Sequence, residues 1–538
     1  MRKNTIKKTA DIILIIGIII AVVLLFARAV NYPSIKHDEG ISYLAATGHQ
    51  ELYETSKPSD KWVTASEWQA FWKIDKVGIF RTITRGLNTW DLHPPLYYWI
   101  LNVWSGIFGI NTTTGALLNI PFNVLISLMI FLICRGQKYP PIISAAAAVL
   151  WMVRYSIIEA SIITRQYSLL GFIVLCFYYS LIRFLHKQSP INTFWLFLTS
   201  LLGFLTHYQF VVLMGIALAW VSIYFFLQKN LGPTLKIVSS SVGAILIFFV
   251  ANPGFFQSVS FQQKQALPIR LFHSAVPYLI YRSFYNFAKL FLLEIITISK
   301  YSKIYMVIFA FILLGIFLYF IRKLSLKTMI SRIFDEKNFI LVTSFLTLMT
   351  IVVLYVIRVF AVQTMGVKNL MLLSPLLYIA LAQLLTFADK NNHKLTYAFI
   401  YFSLFVQVFF GIQGTVSYVI YINKQSPPEI FKSSVPIITD QTARGILPRN
   451  LWYVHPDSPV YAAKQDSIIN KFPDVRGYPI IYLISSVNDY GNSPEKQKEV
   501  LKLFENNCYA VKAIGKNIYI EGEIFELRKI NGDTISNN

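Results

Sequence analysis

Long uninterrupted apolar stretches alternate with short polar, mostly basic connectors along the first four-fifths of this chain. Runs of about 18 apolar residues are long enough to cross a bilayer as helix. The pattern predicts about eleven such helices near Ile12–Val30, Thr114–Cys134, Pro141–Ile158, Ser168–Leu185, Thr193–Leu205, Tyr208–Leu227, Ile237–Ala251, Ile304–Ile321, Phe339–Ile357, Asn369–Phe387 and Leu395–Val419. After Asn423 the pattern changes. Pro427-Pro428 is followed by alternating β-type runs at Val435–Thr439, Ile480–Ile484, Asn517–Ile520 and Ile524–Leu527 and one helical run, Pro494–Asn506. That composition predicts a small α/β domain outside the membrane. The fold class is therefore a polytopic α-helical membrane protein with a C-terminal α/β domain, divided as residues 1–422 and 423–538.

Composition supports this class. The 538 residues are 55% hydrophobic, 15% aromatic and 14% charged, with a mean hydropathy of +0.52. A soluble chain carries roughly a quarter charged residues. The net charge of +22 would suit nucleic acid, but basic residues also gather at the cytoplasmic ends of membrane helices, and no nucleic-acid partner is expected. If the N-terminus is cytoplasmic, Arg2, Lys3, Lys7 and Lys8, Arg135 and Lys138, Arg183 and Lys187, Lys229 and Lys236, Arg322 to Lys337, and Lys390 and Lys394 all fall on the inner side. Met1–Thr9 is basic and leads into the first apolar run, which reads as a retained helix because no small-residue cleavage site follows it. Cys134 and Cys176 lie in apolar runs far from Cys508, so neither a disulfide framework nor a metal cluster is suggested.

Three segments then lie outside: 31–113, 252–303 and the C-terminal domain. In the first, Trp62, Trp68, Phe71 and Trp72 are interleaved with Lys61, Glu67 and Lys73, as in a helix lying at the headgroup level with its rings in the acyl boundary. The same loop holds His37-Asp38-Glu39-Gly40 just after the first helix and Trp90-Asp91-Leu92-His93-Pro94-Pro95-Leu96-Tyr97-Tyr98 further on. Alone, Asp38-Glu39 reads either as a solvated acid pair or as a carboxylate base at the membrane surface. A base must lie within hydrogen-bond reach of the hydroxyl it deprotonates, with a pKa tuned by partial burial. Pro94-Pro95 and the following rings suit a helix start in the aromatic belt. That leaves Asp91 and His93 unexplained, and the two acidic sites taken together favour a functional reading.

This pair resembles the first external loop of the GT-C glycosyltransferases that use polyprenyl-phosphate sugars. It is similar to the protein O-mannosyltransferases, with their Asp-Glu pair and Asp-x-His-Pro-Pro-Leu motif, and to the bacterial family 39 and lipid A aminoarabinose transferases. Shorter matches are Thr164-Arg165-Gln166-Tyr167-Ser168-Leu169-Leu170, Thr206-His207-Tyr208, and Lys368-Asn369-Leu370 through Pro375. The last carries Lys and Asn where the group has Arg and Tyr. No acid follows Arg165 at the protein mannosyltransferases' distance, Leu170 and Gly171 standing there, which counts against that subfamily.

The resemblance implies a GT-C membrane enzyme of a bacterial plasma membrane with an outward-facing active site. Its donor is a polyprenyl-phosphate sugar, its acceptor a lipid, glycan or protein hydroxyl, and its surroundings membrane lipid. Asp38 is then the base, assisted by Glu39, and Asp91 orients base or acceptor. His93, Arg165, Tyr167, His207, Arg270, Arg282, Arg358 and Lys368 are candidates for donor phosphate or substrate, arginine being suited because its planar fork pairs with two phosphate oxygens. Each of these cations also reads as an interfacial residue reaching from a helix end to water. No cofactor is required, since phosphate already leaves well; a loose divalent ion at Asp38 or Glu39 remains compatible with the residues. A transporter or flippase for lipid-linked sugars is the rival reading. It calls for charged residues inside helices or paired broken helices, whereas here Arg154 is the clearest charge within a helix. A scaffold with an external binding domain is a further rival, and it would have no use for Asp38 and Asp91.

Overall fold

A computed structural model describes residues 2–91, 93–264, 333–357, 370–487 and 492–530. The chain divides into two compact units. One comprises 1–29, 91–97 and 116–417; the other comprises 30–90, 98–115 and 418–538.

The first unit is helical. Among the described residues, seven helices are long and apolar enough to cross a membrane, or eight if the bent pair Pro141–Met152 and Tyr155–Ser161 counts as one span. On Arg2–Val30, Ile12, Ile15, Ile16, Ile19, Val23 and Phe26 are exposed while Ala10, Leu14, Ala21 and Leu25 are buried. An exposed apolar face this long suits lipid, which demands only that backbone bonds close within the helix. Helices are joined by buried polar contacts, such as Trp151 Nε1 donating to Ser374 Oγ (3.0 Å) and Tyr178 OH donating to Thr343 Oγ1 (2.7 Å), as expected where apolar faces alone give no preference for partners over lipid.

Ten of the expected helices are present: Arg2–Val30, Thr114–Gly136, the Pro141–Ser161 pair, Tyr167–His186, Pro190–Thr206, Phe210–Leu227, Leu231–Ala251, Phe339–Ile357, Ser374–Asn391 and His393–Asn423. The expected helix at 304–321 lies outside the described residues, as does most of the 252–303 loop after the helix Phe255–Lys264. The expected single helix over 141–158 is corrected to two, bent by 56°. Val153 and Arg154 form the break, and Arg154, 2% exposed, sits at the N-cap of the second piece in extended conformation. The last helix approaches there through Gly411, where a Cβ would stand 2.7 Å from the Val153 carbonyl oxygen.

The second unit is built on a six-stranded sheet in the order β1-β3-β2-β4-β6-β5. Its strands are β1 (Trp62–Thr64), β2 (Ile437–Thr439), β3 (Pro459–Ala462), β4 (Ile480–Ser485), β5 (Tyr509–Lys516) and β6 (Glu523–Lys529). β2 lies parallel to β3 and β4, and the remaining pairs are antiparallel. The helix Pro494–Asn506 is capped by Ser493, whose Oγ accepts from Lys496 N, and turns Val500 and Phe504 inward. They join Ile438, Ile481, Leu483, Phe525 and Leu527 in one core.

Three expectations change here. Asn517–Ile520 is a turn, not a strand, and β3 and β5 are additions that the alternation did not reveal. The aromatic stretch of the first loop is not an interfacial helix. Trp62 enters β1, pairs with Tyr461 and donates Nε1 to Asp474 O at 2.9 Å. Trp68, Phe71 and Trp72 are buried around Tyr53, with Tyr53–Phe71 centroids 5.1 Å apart and nearly perpendicular. Lys61, Glu67 and Lys73 are the exposed members. Large rings that find one another lose more water than they would at a headgroup boundary. The break expected at 422/423 is also displaced, because residues 30–90 and 98–115 pack with 418–538 in one unit.

Candidate active site

In the helical unit, three short connectors bring polar side chains together: Asp91 and His93 before the helix Leu96–Phe108, residues 163–166 before Tyr167–His186, and residues 207–209 before Phe210–Leu227. The helix Thr114–Gly136 holds the first two in place. Its Asn119, fully buried, donates Nδ2 to Ile163 O (2.7 Å) and faces Tyr97 OH at 3.4 Å. One turn on, Asn123 donates to Asn119 O (2.7 Å) and accepts from Ser161 Oγ (3.0 Å). Buried amides satisfied in this way fix loop ends more sharply than apolar packing does.

Asp91, 5% exposed, accepts from His93 Nδ1 at 2.8 Å. The His93 ring stands 6.1 Å from His207, nearly perpendicular, and His207 is 6.1 Å from the Tyr167 ring. Arg165 is 5% exposed and its backbone amide closes a tight turn onto Ile163 O at 2.7 Å. Burial, then the neighbouring His93 and Arg165, push the His207 pKa down to about 3, so the ring is neutral. Gln209 N donates to His207 Nδ1 at 3.1 Å, which leaves the ring proton on Nε2 as a donor. Tyr208 is raised above its ordinary value chiefly by burial, with Asp91 adding to the shift. The arrangement is a desolvated guanidinium beside the neutral His207 Nε2–H donor, with the carboxylate occupied by a histidine. It can hold an anion, because charge-assisted hydrogen bonds in a dry site are strong.

In the second unit, Asp38 and Glu39 lie in the first turn of the helix His37–Thr47. Glu39, 1% exposed, accepts from Tyr32 OH (2.8 Å) and from Lys36 N (2.9 Å), which closes the helix start. Asp38 is half-buried. Among the described residues no three His, Cys, Asp or Glu side chains are grouped to hold a metal ion.

Of the residues expected from sequence, Asp91, His93, Arg165, Tyr167 and His207 are therefore brought together, and Asp38 and Glu39 share one helix turn. Arg270, Arg282, Arg358 and Lys368 lie outside the described residues. Sequence reasoning passed over Asn119 and Asn123, although two asparagines four apart in an apolar helix were a readable signal. It also passed over Gln166, which is fully buried with neither amide atom hydrogen-bonded.

No protein-family model and no curated protein sequence matches this chain. Its fold is similar to the crystal structure of ArnT from Cupriavidus metallidurans bound to undecaprenyl phosphate, with 12% identity, a TM-score of 0.52, and coverage of 96% of this chain and 98% of that one. The apo-state structure of that protein aligns over 96% and 97% with 12% identity and a TM-score of 0.48. ArnT is a lipid A aminoarabinose transferase of the GT-C class. The chain thus has an ArnT-like fold and is a multi-pass membrane protein.

Proposed function

We propose that this protein is an integral-membrane glycosyltransferase that moves a hexosyl or pentosyl group from a polyprenyl-phosphate donor to a hydroxyl of a lipid, glycan or protein. The observation that carries the reading is the buried Arg165 beside neutral His207 and the Asp91–His93 pair. A phosphate diester is the anion such a cluster suits, and the likeness to a fold crystallised with undecaprenyl phosphate supports it.

In this reading Arg165 and His207 Nε2–H stabilise the charge that gathers on the leaving phosphate. Asp91 holds the His93 ring by its Nδ1, with Nε2 directed away from the pair. Asp38 takes the proton of the acceptor hydroxyl. The acceptor oxygen bonds to the anomeric carbon as the carbon–oxygen bond to phosphate breaks, its electron pair leaving with the phosphate, and the configuration inverts. Glu39 acts through the helix start it closes, so the base role falls to Asp38 alone. As written, the reaction calls on no cofactor. The reaction is assigned to the outer face on the distribution of basic loops, and to a bacterial plasma membrane on the resemblance of the first loop.

Asp38→Asn preserves shape and removes the base, so it should lower transfer from a polyprenyl-phosphate sugar by about 10²–10⁴-fold with donor binding retained. Near-normal turnover by that variant would overturn the assignment. The bent pair at Arg154 gives some support to a flippase. Such a protein would move labelled lipid-phosphate sugar across proteoliposomes without consuming it.

A further inference from the structure

The segment after β2 is packed against the helix that carries Asp38 more closely than side chains permit. A Cβ at Gly445 would stand 2.5 Å from His37 O and 2.6 Å from His37 Nδ1. A Cβ at Gly40 would stand 2.7 Å from Pro448 Cγ and 2.8 Å from Gly445 O. The two glycines form a seam that touches the residues on either side of Asp38-Glu39.

Around this seam, hydrogen bonds tie the same segment to both flanks of the helix. Upstream, Tyr453 OH donates to Pro33 O. Downstream, Tyr53 OH donates to Thr442 O (2.7 Å) and Arg444 pairs with Glu54 (3.3 Å). Trp72 Nε1 closes the far side onto Gly40 O at 2.9 Å. The segment is anchored in turn to the sheet, because the carboxylate of Asp440, at the end of β2, accepts from Ser486 N (3.0 Å) and Gln465 Nε2 (2.7 Å).

We propose that residues 442–453 of the C-terminal segment are a positioning element for Asp38, with the Gly40–Gly445 seam setting the depth and direction of the helix turn that bears it. The inference rests on the base role proposed for Asp38. It gives the C-terminal sheet a task in that reaction: the sheet holds a carboxylate in register rather than presenting a binding surface. A carboxylate that must meet a hydroxyl within hydrogen-bond reach tolerates little displacement, and a shift of about 1 Å costs on the order of 10²-fold in rate.

The test is Gly445→Ala in the full-length protein purified in detergent, read by amide hydrogen exchange and by steady-state kinetics. Exchange should quicken over residues 37–44, where Glu39 and Gly40 amides bond to Lys36 O, while β4 and β6 keep their protection. The kcat should fall by about ten- to hundredfold with the donor KM unchanged. A loss of folding alone would also lower apparent kcat at constant KM, but it would strip protection from β4 and β6 as well. Should that happen, Tyr453→Phe, which adds no volume and removes one bond to Pro33, should lower kcat more modestly at constant KM. Unchanged exchange over 37–44 and unchanged kcat in both variants would overturn the proposal, as would faster exchange with undiminished kcat. Exchange needs no substrate, so a wild type inactive on polyprenyl-phosphate sugars would count against the proposed function while exchange still decides whether the seam holds the helix.

Discussion

Acid should destabilise this protein through His207 in a way that one substitution removes. The unfolded chain takes up a proton on this ring near its ordinary value of 6.5, whereas in the fold burial, then the neighbouring His93 and Arg165, hold it at about 3. Between those values the unfolded state binds the extra proton. The stabilisation is therefore complete above pH 6.5 and is lost as pH falls toward 3. The slope has a ceiling of about 1.4 kcal/mol per pH unit, so at pH 5 the contribution lost is at most about 2 kcal/mol. Screening at a half-buried ring brings it to about 1–2 kcal/mol. The assay is thermal unfolding in detergent from pH 7.5 to 4.5 for wild type and His207→Gln. The wild-type midpoint should fall more steeply below pH 6.5. Arg165→Gln should flatten the wild-type slope in part, since the guanidinium is the third cause of the shift. Parallel profiles for wild type and His207→Gln would refute the reasoning, because the ring would then titrate alike in both states.

Other outcomes follow from single residues. Gln166 buries two unpartnered amide atoms, each costing about 1–3 kcal/mol, so Gln166→Leu should raise the thermal midpoint of the ligand-free protein; an unchanged or lower midpoint would show that the site is satisfied in another way. Trp68→Ala empties a fully buried position and should cost about 3–5 kcal/mol, read as increased protease sensitivity of residues 30–90. Cys508 is the exposed native thiol, Cys134 being buried and Cys176 half-buried. If the C-terminal sheet faces outward, an impermeant maleimide should label Cys508 in intact cells; labelling only after permeabilisation would reverse the orientation.

The helices were legible because their signal is local: a run of apolar residues longer than about 18 needs no partner to announce itself. The same holds for Pro494–Asn506, where a serine cap, a first-turn proline and an inward Val500–Phe504 pair are all written in thirteen residues and their neighbour. The chemistry of Asp91-x-His93 was legible too, since the two side chains meet across a single turn. The break at Val153-Arg154 was not, and what packs against it is Gly411 of a helix more than 250 residues away. Nor was the fate of Trp62 and Trp68, because spacing shows that rings share a face and not what covers it. Residue types and short motifs were enough to mark the candidates Asp38, Asp91, His93, Arg165 and His207. Tertiary structure alone decided what lies together, tying the Ile163 turn and Tyr97 to Asn119 in one unit and closing two glycines over the helix of Asp38 in the other, because hydrogen-bond reach and close contact are properties of space that one chain position cannot encode.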